Sequence, residues 1–293
     1  MPLCCTTTMN TSRVSTLASA VSVALLLALG GCVSSSGDAS LDESPDPSST
    51  VPDVETLDPE GGGDPVAEAA PDDRLRAELA AAMATNRVVR YSEAWTVLAD
   101  GARVAPGRIE LFYTERVIDE DDRASGDDQA ELDFWNREHV WPRSFGIDET
   151  PAETDLHNLV PVDMTVNSAR SNRLYDDDGR AHRECERCLI GDGSWAPPPE
   201  RRGDAARIAF YMDVRYDGLT DRGVPDLALS DEPNAAGARF GRLSTLIRWH
   251  CEDGVSSEEI RRHAAAAAAQ GNRNAFVDAP ELVEQVYGVR CPW

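Results

Sequence analysis

The sequence predicts an α+β, helix-rich single domain, and three observations predict it. Alanine-rich and apolar stretches recur at helical spacing with capping residues at their ends; β-branched and aromatic runs are few and short; and the length suffices for one substantial core. The chain has 293 residues, of which 41% are hydrophobic, with six Trp, a composition that excludes a wholly disordered protein. It shows no collagen period, no heptad array and no internal repeat. No apolar run is long enough to anchor stably across a bilayer.

Taken in order, residues 1–31 read as an export signal. Arg13 is their single charge, and the apolar stretch from Leu17 to Leu29 is a signal-peptide core, short of the ~20 residues a transmembrane helix needs. Leu29-Gly30-Gly31-Cys32 resembles a bacterial lipoprotein cleavage box, which implies that Cys32 is lipidated and heads the mature chain; an ordinary cleaved signal is the alternative. Met9 is a second candidate start. Val33, in place of aspartate, favours the outer membrane or cell surface over inner-membrane retention, with a periplasmic or extracellular protein as the fallback. Residues 32–73 follow as a linker, carrying twelve acids and no base among Ser, Pro and Gly, so their charges extend them and little apolar surface offsets their ordering entropy.

The folded domain is expected over residues 74–293. The chain's net charge is −24, and about −13 of that falls in the domain. All 28 basic residues are arginines, planar forks suited to carboxylates and phosphates. Bulk charge therefore excludes a protein that coats nucleic acid electrostatically; binding a polyanion needs a local arginine face, for which Arg180, Arg183, Arg187, Arg201, Arg202 and Arg207 are candidates, and ambient salt to screen the remainder. Four cysteines remain after the leader and Cys32: Cys185, Cys188, Cys251 and Cys291. In an exported protein they suggest two disulfides with three possible connectivities; a zinc site built on the Cys-x-x-Cys pair, with His182 nearby, is the rival.

Within the domain, residues 75–88 predict a first helix and residues 108–117 a strand, followed by an acidic loop over 119–128. Residues 203–212 predict an N-capped, largely buried helix, and 240–249 a second apolar one. Ser256-Ser257-Glu258-Glu259 reads as a capping box opening a helix through the alanine run 264–269, stopped by Gly271.

Two segments carry chemistry. Residues 136–146 read Asn-Arg-Glu-His-Val-Trp-Pro-Arg-Ser-Phe-Gly; residues 155–173 contain a strand-like Leu156–Val160 ending at Pro161, then Asn167, Arg170 and Asn172 at helical spacing. Together they can form a hairpin packed on a helix, where an imidazole, a carboxylate and a carboxamide converge. That set suits phosphodiester hydrolysis: a neutral imidazole takes a proton from water, an oxygen-ligated divalent ion stabilises phosphoryl oxygens, and arginine grips a phosphate.

These residues bring out a family likeness. Arg137-Glu138-His139-x-Trp141-Pro142, Asp155-Leu-His-Asn-Leu-Val-Pro161 and Asn167-Ser-x-Arg-Ser-Asn172 resemble the bacterial endonuclease I family of His-Me finger (ββα-metal) nucleases. Later stretches, including Trp195-x-Pro-Pro, Arg202-Gly-Asp-x-Ala-Arg207, Leu246-x-x-Trp-His250 and Gln270-Gly-Asn-Arg-Asn274, extend the resemblance over residues 85–288. It implies a single domain built around a ββα-metal finger, acting as a monomeric, metal-dependent endonuclease on DNA, with RNA an open second substrate, and leaving 5′-phosphate and 3′-hydroxyl ends. It further implies His139 as general base, Glu138 and Asn167 as ligands of Mg²⁺ (or Ca²⁺ or Mn²⁺), Arg143 and Arg170 as the catalytic arginine candidates, and Arg173 and Arg207 as substrate-binding. His157 and His250 are expected to be structural, Asn158 and Asn172 to tie the finger together, and His182 and His263 to face solvent. Ala275, Ala279 and His263 depart from the family pattern outside the proposed metal shell. The rival function is a catalytically silent DNA-binding or adhesive lipoprotein that keeps the fold.

Overall fold

A computed structural model of the protein describes residues 66–67, 70–124, 133–218 and 223–292. The signal segment, Cys32 and most of the acidic linker lie outside the described residues. Helices run over α1 (Asp73–Met83), α2 (Tyr91–Ala102), α3 (Met164–Arg170), α4 (Arg202–Arg215), α5 (Leu243–Glu252), α6 (Ser257–Gln270), α7 (Ala275–Asp278) and α8 (Leu282–Tyr287). Short strands fill the intervals: β1 (Val66–Ala67), β2 (Arg103–Ala105), β3 (Arg108–Glu110), β4 (Val117–Asp119), β5 (Trp135–His139), β6 (Leu159–Asp163), β7 (Leu174–Tyr175), β8 (Arg180–Ala181), β9 (Leu189–Ile190), β10 (Ser194–Ala196), β11 (Ala228–Leu229), β12 (Arg239–Phe240) and β13 (Val289–Arg290). They pair locally: β2–β3–β4 and β5–β6 are antiparallel, β7–β10–β9–β8 form a mixed sheet, and β1 pairs with β13. The α+β, helix-rich class read from the sequence is the one observed.

Helix α4 is the centre. Every residue from Gly203 to Arg215 is buried, because small and apolar side chains surround the helix and its charged residues are paired internally. Gly203 is required where α4 begins: a Cβ there would sit 2.2 Å from the Asp253 carbonyl oxygen, while its N–H donates to the Asp253 carboxylate at 2.9 Å. α1, α5 and α7 pack around α4, and the ring faces of Trp141, Trp195, Phe210, Phe240 and Trp249 fill this larger core. A smaller core joins α2 and α6 to the finger strands through Leu98, Ile109, Leu111, Trp135, Leu156 and Leu159. Both expected cysteine bridges form, as Cys185–Cys188 and Cys251–Cys291.

Helix α6 starts and stops where the capping signals place it. Ser256 Oγ accepts from the Glu259 N–H at 3.0 Å, and Gly271 takes φ +94° just past the end. The reciprocal half of the capping box is diverted, since the Glu259 carboxylate turns inward to Arg207.

Several boundaries differ from expectation. The expected helix over 75–88 ends at Met83, and α2, which the sequence reading lacks, follows. The expected strand over 108–117 breaks into β3 and β4, because Phe112 and Tyr113 turn into the core and Glu115 closes the turn at φ +56°. Leu156–Asn158 is a 3₁₀ turn rather than a strand start, so β6 begins at Leu159 and runs through Pro161. The helix expected over 240–249 is shifted, with Phe240 in β12. The domain also reaches back into the stretch read as linker: β1 pairs with β13, and Asp72 caps α1 by accepting from the Leu75 N–H at 2.9 Å.

Candidate active site

β5, β6 and α3 make a ββα unit. The strands pair with Glu138 opposite Val160 and His139 opposite Leu159, and α3 packs against both. Asn158 ties the turn to the segment just past β5: its Oδ1 accepts from the Trp141 N–H at 2.7 Å and its Nδ2 donates to the Trp141 carbonyl at 3.1 Å. Asn172, just past α3, donates to Ser144 Oγ at 3.2 Å, so both asparagines act as the ties the sequence suggests.

Glu138 is 3% exposed. Its Oε1 accepts from Tyr113 Oη at 2.9 Å and pairs with Arg170 Nη1 at 2.9 Å, while Tyr175 Oη lies 2.9 Å from Tyr113 Oη and donates to it. Burial pushes the Glu138 carboxyl up, and Arg170 and the Tyr113 bond pull it back part of the way. Oε2 accepts from no side chain among the described residues. Asn167, on α3, donates Nδ2 to Asn136 Oδ1 at 2.7 Å. Asn136 and Glu138 are two residues apart and share one face of β5, which brings the carboxamide of α3 to the carboxylate's side of the strand. A buried carboxylate and a carboxamide on the same side of the strand are the donor chemistry of a hard, oxygen-seeking cation that retains waters. No group of three or more His, Cys, Asp or Glu among the described residues makes a protein-only cage, and with the cysteines bridged the zinc alternative is set aside.

His139 is 7% exposed. Its Nε2 lies 2.9 Å from the Glu153 carbonyl oxygen, and a carbonyl only accepts, so Nε2 carries the proton and Nδ1 keeps its lone pair. Burial, reinforced by Arg143, Arg137 and Arg170, lowers its pKa to about 4 against the pull of the Glu153 bond. The imidazole is therefore neutral at pH 7. Tyr91 stacks beside it, with ring centroids 5.8 Å apart.

The arginines separate by environment. Arg143 is half-exposed and pairs with Asp148 and with Glu153, the latter at 3.2 Å. Arg170, expected as a catalytic candidate, is instead wholly buried: it holds Glu138, donates to the His139 and Val140 carbonyls at 2.8 and 2.7 Å, and lies over the Tyr175 ring. Burial opposes its charge, but Glu138, Tyr175 and Tyr113 together outweigh burial and raise its pKa. Arg173 is half-buried and donates to the Gly191 carbonyl at 3.3 Å. Arg207, expected at the substrate, is 0% exposed and grips Glu259 with Nε at 2.9 Å and Nη2 at 2.7 Å. It joins α4 to α6 and has no surface to offer a phosphate.

The arginine face expected around the cysteine pair dissolves for the same reason. Arg187 pairs with Glu115 and Glu200, Arg201 is buried against Glu110, and Arg202 pairs with Asp177; Arg180 and Arg183 stay exposed. His157 and His250 are buried as expected. His263, expected in solvent, is buried too, against Asp278 and His157, and His182 is half-buried beside Trp195. Sequence reasoning missed Tyr113, Tyr175 and the Glu153 carbonyl; the first two stand in unremarkable aromatic positions, and a carbonyl has no side-chain signal.

The chain is similar in sequence to known nucleases. The endonuclease I family model matches residues 72–281. An extracellular ribonuclease of Bacillus amyloliquefaciens is 36% identical over 219 residues, covering 73% of each chain. One from Bacillus subtilis (strain 168) is 35% identical over 228 residues, covering 75% of this chain and 76% of its own. An extracellular deoxyribonuclease of Aeromonas hydrophila is 28% identical over 131 residues, 43% of this chain and 49% of that one. A match over most of the domain, on a finger that presents Glu138 and His139 from one strand, makes this chain a member of the endonuclease I family and an endonuclease.

Proposed function

We propose that the protein is an exported, surface-tethered endonuclease that uses a divalent cation to hydrolyse DNA and RNA without sequence preference, leaving 5′-phosphate and 3′-hydroxyl ends. One observation carries the reading: a buried, neutral His139 fixed through Nε2 to the Glu153 carbonyl, its Nδ1 open, next in sequence to the buried Glu138. Export rests on the leader-like N-terminus and on relatives named as extracellular, and the tether on Cys32. Both nucleic acids are proposed because relatives carry both ribonuclease and deoxyribonuclease names.

In the mechanism, His139 Nδ1 takes the proton of the attacking water. Burial first, and then the surrounding cations, hold its basicity down in the free protein, and an anionic phosphate docked beside it offsets the cations and raises it. The Glu153 carbonyl keeps the ring in the productive tautomer and stabilises the imidazolium that forms. Glu138 and Asn167 would hold Mg²⁺, with Ca²⁺ or Mn²⁺ as substitutes; when bound, the ion supplies Lewis-acid stabilisation of the charge developing on the phosphoryl and leaving-group oxygens. Arg143, the half-exposed arginine among those near His139, is free to exchange its surface carboxylates for a phosphate oxygen.

The test is nicking of supercoiled plasmid and cleavage of single-stranded RNA by the oxidised full chain, with Mg²⁺, with EDTA, and with His139→Ala. Cleavage should require the metal, fall by roughly 10²–10⁴-fold in the variant, and leave nicks that a ligase reseals. Equal inertness of wild type and variant across Mg²⁺, Ca²⁺ and Mn²⁺ returns the silent binding protein.

A further inference from the structure

Arg137 differs from the other arginines around His139. Arg143 and Arg170 each face a carboxylate, whereas Arg137 forms no ion pair with any described residue. Its guanidinium carbon lies 3.5 Å from the centroid of the Tyr91 ring and 4.2 Å from that of Trp95, two side chains one turn apart on α2. Nη1 donates to the Tyr91 carbonyl, and Nε and Nη2 carry no hydrogen bond to any described residue. Neither nitrogen is sealed away without a partner, and Arg137, Tyr91 and Trp95 are all half-buried. Burial pulls the Arg137 pKa below the ordinary arginine value, with the Tyr91 hydroxyl opposing it.

A half-buried cation clamped between π faces, with two donor groups that no described residue uses, is arranged to receive an anion. The domain has acids in excess and pairs most of its arginines, so one left without a carboxylate among the described residues, beside the general base, is available to an anionic ligand. Arg137 and His139 stand two residues apart on one face of β5, roughly 6.7 Å along the strand, and both side chains touch Tyr91. Set one step along the strand from His139, Arg137 can take a phosphate other than the one His139 serves.

We propose that Arg137, held flat by Tyr91 and Trp95, binds the backbone phosphate adjacent to the scissile one and so positions the polynucleotide against His139. The inference rests on the nuclease reading above. It makes Arg137 a substrate-positioning residue that discriminates a chain of several nucleotides from a substrate with one phosphate.

The experiment compares wild type, Arg137→Gln and Arg137→Lys, with Mg²⁺, on single-stranded polynucleotide and on a dinucleotide whose single phosphodiester is the scissile one. On polynucleotide, R137Q should raise KM about tenfold, the value of one charge-assisted hydrogen bond, with kcat within about twofold. The slope of log(kcat/KM) against log salt should flatten by about 0.7, as for one lost phosphate contact on a single strand. On the dinucleotide, which has no second phosphate to bind, R137Q should leave KM at its wild-type value, and on polynucleotide R137K should keep the wild-type salt slope. An R137Q enzyme indistinguishable from wild type on polynucleotide overturns the proposal, as does an equal loss on both substrates. A loss of slope in R137K matching that in R137Q makes the stack merely structural and overturns it as well. Wild type that cleaves neither substrate defeats the nuclease reading itself, a result separable from the rest because it precedes any variant.

Discussion

Glu138 occupies a place where a carboxylate is expensive to keep, and the residues beneath it show how the cost is offset. Arg170 supplies the charge, and the Tyr175–Tyr113 relay supplies a hydroxyl, both at Oε1. Arg170 therefore positions the carboxylate rather than meeting substrate. Arg170→Met should strand a buried carboxylate and cost about 3–5 kcal/mol of stability, read as a fall in the urea midpoint, with activity lost alongside. Arg170→Lys keeps the charge but loses part of the forked grip on the His139 and Val140 carbonyls, and should fall between. A Met variant with wild-type stability and no activity would instead place Arg170 at the substrate.

Helices α5 and α6 each carry a buried histidine that burial keeps neutral. His250 is lowered to about 3, by burial and by Arg207 beside it. His263 is lowered to about 4 by burial and by the neighbouring His157, with Asp278 pulling the other way. A histidine whose folded pKa is depressed binds its proton in the unfolded chain first, so its contribution to stability is complete above about pH 6.5 and is lost as pH falls toward the folded value. Each should contribute a slope of up to about 1.4 kcal/mol per pH unit in that window. His263→Asn should remove one such slope from urea-measured stability between pH 6.5 and 4; an unchanged slope refutes the assignment. α6 was legible because its signals are local: a Ser cap, an alanine run, a stopping glycine; α5, which lacks them, was read three residues early. β5 and α3 were legible as a hairpin packed on a helix, from the two chemistry-bearing segments and their resemblance to the finger family. What escaped depends on distant partners. Leu156–Asn158 turns instead of extending because Asp155 is captured by Tyr211, Tyr216 and Gln270, more than fifty residues further on. Arg207 reads like a surface arginine until Glu259 closes on it across 52 residues. His263 looks solvent-facing until Asp278 and His157 cover it.

Across the whole molecule, the excess of acid does not leave the arginines idle. Many of them bridge helices and strands distant in sequence, Arg76 to Asp213 and Arg207 to Glu259 among them, so the charge that repels a polyanion also staples the fold. Covalent staples divide the same labour unevenly. Cys251–Cys291 closes a separation of 40 residues and fixes the C-terminal segment, whose β13 pairs with β1, against α5. Cys185–Cys188 closes a separation of three and braces the loop that rests on the Tyr113 carbonyl. Loop-closure entropy makes the first bridge worth about 4 kcal/mol and the second about 2. Cys251→Ser with Cys291→Ser should therefore lower the urea-measured stability roughly twice as far as the paired 185 and 188 serines. The short bridge should show its loss in activity as well, because the chain it braces leads through Tyr113 to Glu138. Equal losses of stability from the two double variants, with activity untouched in both, would mean that neither loop length nor the Tyr113 connection governs what the bridges do.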